Sequence, residues 1–401
     1  MIDTFTLSPE KKRPKSGIGL EEKFLKEKLI NSSRLYYLDW LRVLAFSVLI
    51  LMHTGEVFTE KNFWIKNGAT LKFFDYVLFF FKQWRMPLLF VISGAAVSIM
   101  FNRNTVTSFI KNRIAKVLLP LFGAMLLIIP PQIYFIEKAK GKHQNFIDFY
   151  LRLIEFSWFP KGNLHWLHLW YLAFVFIFTI SVIPVMIFVR SDHGKKIMKS
   201  LSEKIAKPFL LFIYALAASI PYYLLCYVRE GNVAELLYYF PYFLFGVLFL
   251  TNPVVAETLK ENALKILGFA CITGVLIYLS DWLRTSENFF YLTIAPGEIK
   301  VLSALLKTAN QWLWLQAILG LSMRYLSSSG RQLKYLNQLV FPIYILHQTV
   351  IIIVGYYVIQ VPGSITFKFS AILLGSLLIM LGLYEAVLKR AAITRLLFGI
   401  K

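Results

Sequence analysis

Apolar and polar positions alternate along this chain in long blocks, with apolar runs of about twenty residues separated by short basic segments. A helix crossing a hydrocarbon core of about 30 Å needs a run of that length. The pattern predicts an all-α, polytopic membrane protein with about ten transmembrane helices, near 36–54, 76–101, 114–136, 165–189, 208–228, 236–252, 264–283, 300–323, 339–360 and 366–388. Lys and Arg concentrate in alternate loops, which predicts that both termini are cytoplasmic. The same pattern divides the chain into a basic cytoplasmic arm (1–35), a transmembrane domain (36–390) and a basic cytoplasmic tail (391–401). Pro87, Pro120, Pro184, Pro221, Pro241 and Pro342 fall in or at apolar runs and predict kinked helices around a cavity.

The first run breaks the rule. Only Val43 to Met52 lie between Arg42 and His53, about 15 Å of helix at about 1.5 Å per residue, so a spanning helix must carry charge toward the bilayer. Eleven steps of about 100° bring Arg42 and His53 to one face, and Asp39 falls close to the same stripe. Ionisable groups in a span mark a functional path or, equally well from this stretch alone, an interfacial anchor pair with a headgroup-level histidine.

Composition narrows the classes. With 57% hydrophobic residues, 16% charged residues and a mean hydropathy of +0.60, a soluble domain is excluded. The net charge of +21 would suggest nucleic acid in a soluble protein. Here the basic residues sit between apolar runs and read as topology and contact with anionic lipid, with no nucleic acid partner. Cys226 and Cys271 lie in separate apolar segments, which supports neither a disulfide framework nor a metal site.

Further candidates follow in chain order. In FFKQWRMPLLFVISGAA, Arg85 stands next to a proline at about the depth of His53, as a guanidinium for a carbonyl or anion or as a snorkelling interfacial residue, with Ser93 buried beyond it. Arg103, Lys111, Arg113 and Lys116 make a basic turn that serves topology or phosphates of a cytosolic cofactor. HWLHLWYL offers His168 and Trp170 as walls of an outer-facing substrate site or as part of an aromatic belt. His347 and Glu385 are costly to bury and need partners, with Arg42 or Arg113 as candidates for Glu385. No GxSxG, P-loop or HExxH is present, which removes hydrolase, ATPase and zinc-protease readings and leaves chemistry centred on histidine.

In this order LDWLRVLAFSVLILMHTG, FKQWRMPLLFVISGAA, KNRIAKVLLP, HLWYL, FPYFLFGVLF, FPIYILHQ and LYEAVLKR resemble the acyltransferase type 3 family of integral membrane proteins, closest to its glucan-succinylating branch. The resemblance covers nearly the whole chain after the arm. It implies a ten-span enzyme of the bacterial inner membrane. Such an enzyme takes acetyl-CoA or succinyl-CoA on the cytoplasmic side, uses no metal and acylates a hydroxyl of a carbohydrate outside. Residue by residue, the resemblance gives His53 the role of the essential histidine and Arg42 that of its partner, and it matches Arg85 and Ser93 to the second-span motif and Arg113 to the basic turn. Joined to the reading of the residues, this places Asp39 with the catalytic His53, Arg42 and Arg85; it places Arg103 and Lys116 with Arg113 and Ser93 at the cofactor, and His168, Trp170 and His347 at the substrate. Where the branch often has paired histidines, His347 is followed by Gln348. The competing class is a secondary transporter or lipid-linked glycan flippase, which shares buried charges and kinked spans. The lack of an internal repeat weighs against a transporter built from paired halves.

Overall fold

The structure, a computed structural model, describes residues 35–142, 144–152, 165–207, 232–285 and 296–400. The arm 1–35, its last residue apart, and the predicted span 208–228 lie outside the described residues. Every described element is helical. In chain order these are α1 (Tyr36–Glu56), α2 (Lys72–Asn102), α3 (Val106–Arg113), α4 (Leu119–Leu127), α5 (Ile129–Ala139), α6 (Phe146–Leu151), α7 (Trp170–Ser181) and α8 (Ile183–Arg190). They continue with α9 (Asp192–Ile205), α10 (Asn232–Leu248), α11 (Pro253–Thr285), α12 (Pro296–Tyr325), α13 (Arg331–Val358), α14 (Ile365–Leu383) and α15 (Ala392–Leu397).

Six helical stretches are long and apolar enough to cross a membrane: Tyr36–Glu56, Lys72–Asn102, Val106–Ala139, Pro253–Leu279, Arg331–Val358 and Ile365–Leu388. A seventh results if α7 and α8, bent by 42° at Val182 just before Pro184, form one span. The chain is an integral membrane protein. The run predicted at 236–252 falls on the 17-residue α10, which is shorter than a full span, and the run at 300–323 lies inside α12.

Of the prolines expected in apolar runs, Pro184 stands beside the 42° bend, and Pro221 lies outside the described residues. Pro87, Pro241 and Pro342 sit inside α2, α10 and α13, while Pro120 follows a π-helical turn, Ile114–Leu118, that joins α3 to α4. Burial separates two kinds of span. Nearly four fifths (78%) of the apolar window of α13 is buried inside the protein, against 22% for that of α11, so α13 is the core of the bundle and α11 faces lipid. α2 packs against α10 at backbone distance: a Cβ on Gly94 would lie 2.1 Å from the Phe243 carbonyl, and one on Gly246 2.0 Å from that of Val91. Small residues at both contact points permit that approach between membrane helices.

The segment after α1 is a fitted cap. Asn67 N–H donates to the Val57 carbonyl (3.0 Å) and Leu71 N–H to that of Phe58 (2.9 Å), with Val57 and Phe58 fully buried. Lys66 donates to the carbonyls of Glu56 (3.3 Å) and Thr59 and so satisfies oxygens left open where α1 stops. Burial holds its ammonium below the usual lysine range, against the opposing pull of Asp75 and Glu56. Lys368 of α14 ties the cap down through Asn67 Oδ1 (3.0 Å). At the other end of the chain α15 folds back, placing Leu397 against Gly123 of α4 and Gly399 against the ring of Phe341.

Candidate functional site

The stripe on α1 carries two cavities, one near each end. Toward its C-terminus, a cavity of about 950 Å³ is lined by His53, Glu56, Phe63, Trp64, Lys140, His165, His168, Trp170 and Gln348. Toward its N-terminus, one of about 230 Å³ is lined by Arg42, Phe46, Ser93, Tyr171, Asn337, Phe341 and Tyr344, with aliphatic residues between them. We call them the histidine and arginine cavities. Between them stands Tyr344, which lines the arginine cavity, stacks on His347 (5.6 Å, 26°) and meets Phe46 edge-on (5.3 Å).

In the histidine cavity, His53 Nδ1 lies 2.8 Å from Glu56 Oε2, and Lys82 Nζ of α2 lies 2.7 Å from Glu56 Oε1. A carboxylate only accepts, so it fixes the proton on Nδ1 and leaves Nε2 as the basic nitrogen. Sequence reasoning missed Glu56. The available signal was His53-x-x-Glu56, a spacing of three that puts both side chains on one helical face.

Two more histidines join the first. The His347 ring lies 5.2 Å from that of His53 and 5.0 Å from that of His168. His347 Nδ1 faces the Tyr344 carbonyl, and its Nε2 is buried without a hydrogen-bond partner. His168 Nε2–H donates to the Ile345 carbonyl (3.0 Å), Tyr344 O–H donates to the His168 carbonyl (2.7 Å), and His168 Nδ1 is buried and unpartnered. The turn presenting His168 is strained. Leu167 adopts φ +37°, and its N–H donates to His165 Nδ1 (2.6 Å). Burial lowers the His165 pKa from its ordinary value, which keeps that ring neutral at neutral pH.

The remaining sequence candidates sort by place. Trp170 lines the histidine cavity against Tyr239 (5.4 Å). Arg42 bridges Asp39 at 3.6 Å, and Ser93 O–H donates to Tyr171 (2.6 Å), whose hydroxyl donates to the Leu89 carbonyl (3.2 Å). Arg85 lines neither cavity. It is 7% exposed, its Nε and Nη1 have no hydrogen-bond partner, and Glu56, Tyr239 and Tyr344 are within electrostatic reach. The basic turn stands apart from the arginine cavity: Arg103 and Lys116 are exposed, while Arg113 is buried with Nη2 2.6 Å from Met100 Sδ and its guanidinium over Phe109. The expectation for Glu385 is corrected. It pairs with Lys389 one turn on and accepts from Tyr335 O–H (3.0 Å), because these groups are local while Arg42 is taken by Asp39.

An oriented histidine and a separate arginine cavity thus lie on one helix of a membrane-embedded protein, and the family match supplies the class, an enzyme of group transfer. The family model described as "Acyltransferase domain" matches residues 35–385, and the chain belongs to that acyltransferase family. Among curated proteins it is similar to the glucans biosynthesis protein C of Salmonella typhi, 21% identical over 372 residues, covering 90% of this chain and 93% of the relative. It is likewise similar to that of Salmonella heidelberg (22% over 374 residues; 90% and 93%) and of Salmonella paratyphi B (23% over 374 residues; 90% and 93%). No solved structure matches the chain.

Proposed function

We propose that the protein transfers a small acyl group, acetyl or succinyl, from cytosolic acyl-CoA to a hydroxyl of an extracytoplasmic glycan. The relatives named for glucan biosynthesis support a glucan as the acceptor class. The reading carries with it ten spans, cytoplasmic termini and residence in a bacterial inner membrane, so that the histidine cavity faces outward and the arginine cavity inward. The observation that carries it is the Glu56-oriented His53 on the wall of the larger cavity, eleven positions along α1 from Arg42.

His53 Nε2 takes the acceptor hydroxyl proton, the oxygen attacks the thioester carbonyl, the C–O bond forms and the C–S bond breaks. The thiolate leaves with a proton. Where the acyl group passes through His53 itself, imidazole serves first as nucleophile, and the same carboxylate steadies it. Arg85, a buried guanidinium with free donors, stabilises the developing oxyanion. Arg42 and Ser93 receive the donor in the arginine cavity, with Arg103, Arg113 and Lys116 nearer its phosphates. His168, Trp170 and His347 form the acceptor side.

The test is His53→Ala in purified protein supplied with radiolabelled acetyl-CoA or succinyl-CoA and a glucan. A general base contributes about 10²- to 10⁴-fold, so label transfer falls by at least that much while the protein inserts and folds. Undiminished transfer overturns the assignment.

A further inference from the structure

Three imidazoles line the histidine cavity, His53, His165 and His168. His165 Nδ1 already accepts from Leu167 N–H, and hydrogen bonding fixes which nitrogen of His53 and of His168 is free. The Ile345 carbonyl can only accept, so His168 carries its proton on Nε2 and holds a lone pair at Nδ1. That atom is buried and unpartnered on a residue 8% exposed. Glu56 fixes His53 in the opposite tautomer, with the lone pair at Nε2. His347, between the two rings and 1% exposed, adds a third unpartnered acceptor at Nε2. His53 Nε2 and His168 Nδ1 therefore offer acceptors on this wall, with His347 packed behind them. A buried acceptor left unmet is costly.

Cationic donors suit the site poorly, because Lys140 lines the cavity, Lys82 is already seated on Glu56, and Arg85 is within reach of the same carboxylate. No group of three His, Cys, Asp or Glu among the described residues is arranged to hold a metal ion. Neutral O–H and N–H donors remain, and an acyl acceptor supplies hydroxyls. Aromatic surfaces surround the acceptors: Phe63 stacks beside His53 (6.2 Å, 19°), and Trp64 and Trp170 complete the walls. A ring with polar edges and apolar C–H faces matches that lining.

We propose that the acceptor is a cyclic polyol bearing a free hydroxyl beside the reacting one, and that His168 Nδ1 accepts a hydrogen bond from this neighbour. The inference rests on the acyl-transfer reading above and assigns the two free nitrogens different tasks. The reacting hydroxyl gives its proton to His53 Nε2 as its oxygen forms the ester and the C–S bond breaks, and that proton leaves with the thiol. The neighbouring hydroxyl keeps its proton and only donates to His168. His168 is thus a specificity residue that fixes which hydroxyl meets His53.

The experiment uses the purified full chain with labelled acetyl-CoA or succinyl-CoA, and methyl glucopyranoside with its four monodeoxy analogues as acceptors; the acylated position is read by NMR. For the wild type, removing the hydroxyl adjacent to the acylated one lowers kcat/KM at least tenfold. His168→Phe loses a similar factor on the parent sugar and treats parent and analogue alike, while His168→Gln, which retains an acceptor oxygen, keeps part of the preference. Equal rates for every analogue that retains the reacting hydroxyl, or an undiminished preference in His168→Phe, overturn the inference. Should His168→Phe fail to fold in a thermal melt, the wild-type analogue series decides alone. Transfer without neighbour discrimination removes only this inference, whereas no transfer to any acceptor removes the acyl-transfer reading and this inference with it.

Discussion

The histidine and arginine cavities lie along the same face of α1 and are linked through Tyr344, which lines the second and donates to the carbonyl of His168 in the first, yet they are built differently. The first is about four times larger and carries a charge-linked set, His53–Glu56–Lys82, with aromatic walls and unpartnered imidazole nitrogens. The second is narrow, with one cation already engaged by Asp39 and a hydroxyl pair, Ser93–Tyr171, satisfied within the wall. On the proposed reading the first cavity moves a proton and the second holds the chain-like donor, so substitutions on one side should leave the other side's constants alone.

Glu56→Gln strikes the histidine cavity hardest short of removing His53. The amide no longer fixes the tautomer, and kcat should fall roughly a hundredfold, with the donor KM unchanged in steady-state assays. A rise in donor KM instead would break the separation. Arg42→Met acts from the opposite end: the donor KM should rise about tenfold, the worth of one charge-assisted contact of about 1.5 kcal/mol, with the acceptor KM unaltered. Tyr344→Phe tests the shared wall. It deletes the bond to the His168 carbonyl, about 1 kcal/mol, so kcat/KM should fall about fivefold for both substrates together. Asp39→Asn should change little, within about threefold, because its partner Arg42 is one third exposed and the bridge is long.

Much of this arrangement was legible before any coordinates. The interrupted apolar run announced α1 as a helix with a charged stripe, and the eleven-residue spacing placed Arg42 and His53 on it, because helical periodicity is a property of the backbone alone. His168, Trp170 and His347, named from scattered runs, meet His53 in one place. The missed parts depend on tertiary context. Glu56 follows the end of the apolar run and reads as loop, although Lys66 and the fitted cap hold it in place. Tyr344 falls within the predicted span 339–360 and Asn337 just before it, and nothing local marks either as a cavity wall. The strained Leu167 turn has no sequence signature, since a leucine at positive φ is imposed by its surroundings. α10, of which 17 residues are described, lies against α2 at backbone distance, a contact set by Gly94 and Gly246 that apolar length alone does not reveal.

The end of the chain adds a mechanical detail to the smaller cavity. Gly399, at φ +60°, is packed so tightly against Phe341 that a Cβ there would come within 2.8 Å of the ring, and Phe341 lines the arginine cavity. The last turn therefore works as a wedge driven from outside into the cavity wall. Any residue larger than glycine at 399 would meet both an unfavourable backbone conformation and a ring with a cavity behind it, so its bulk would be passed on to the side of the protein that holds Arg42.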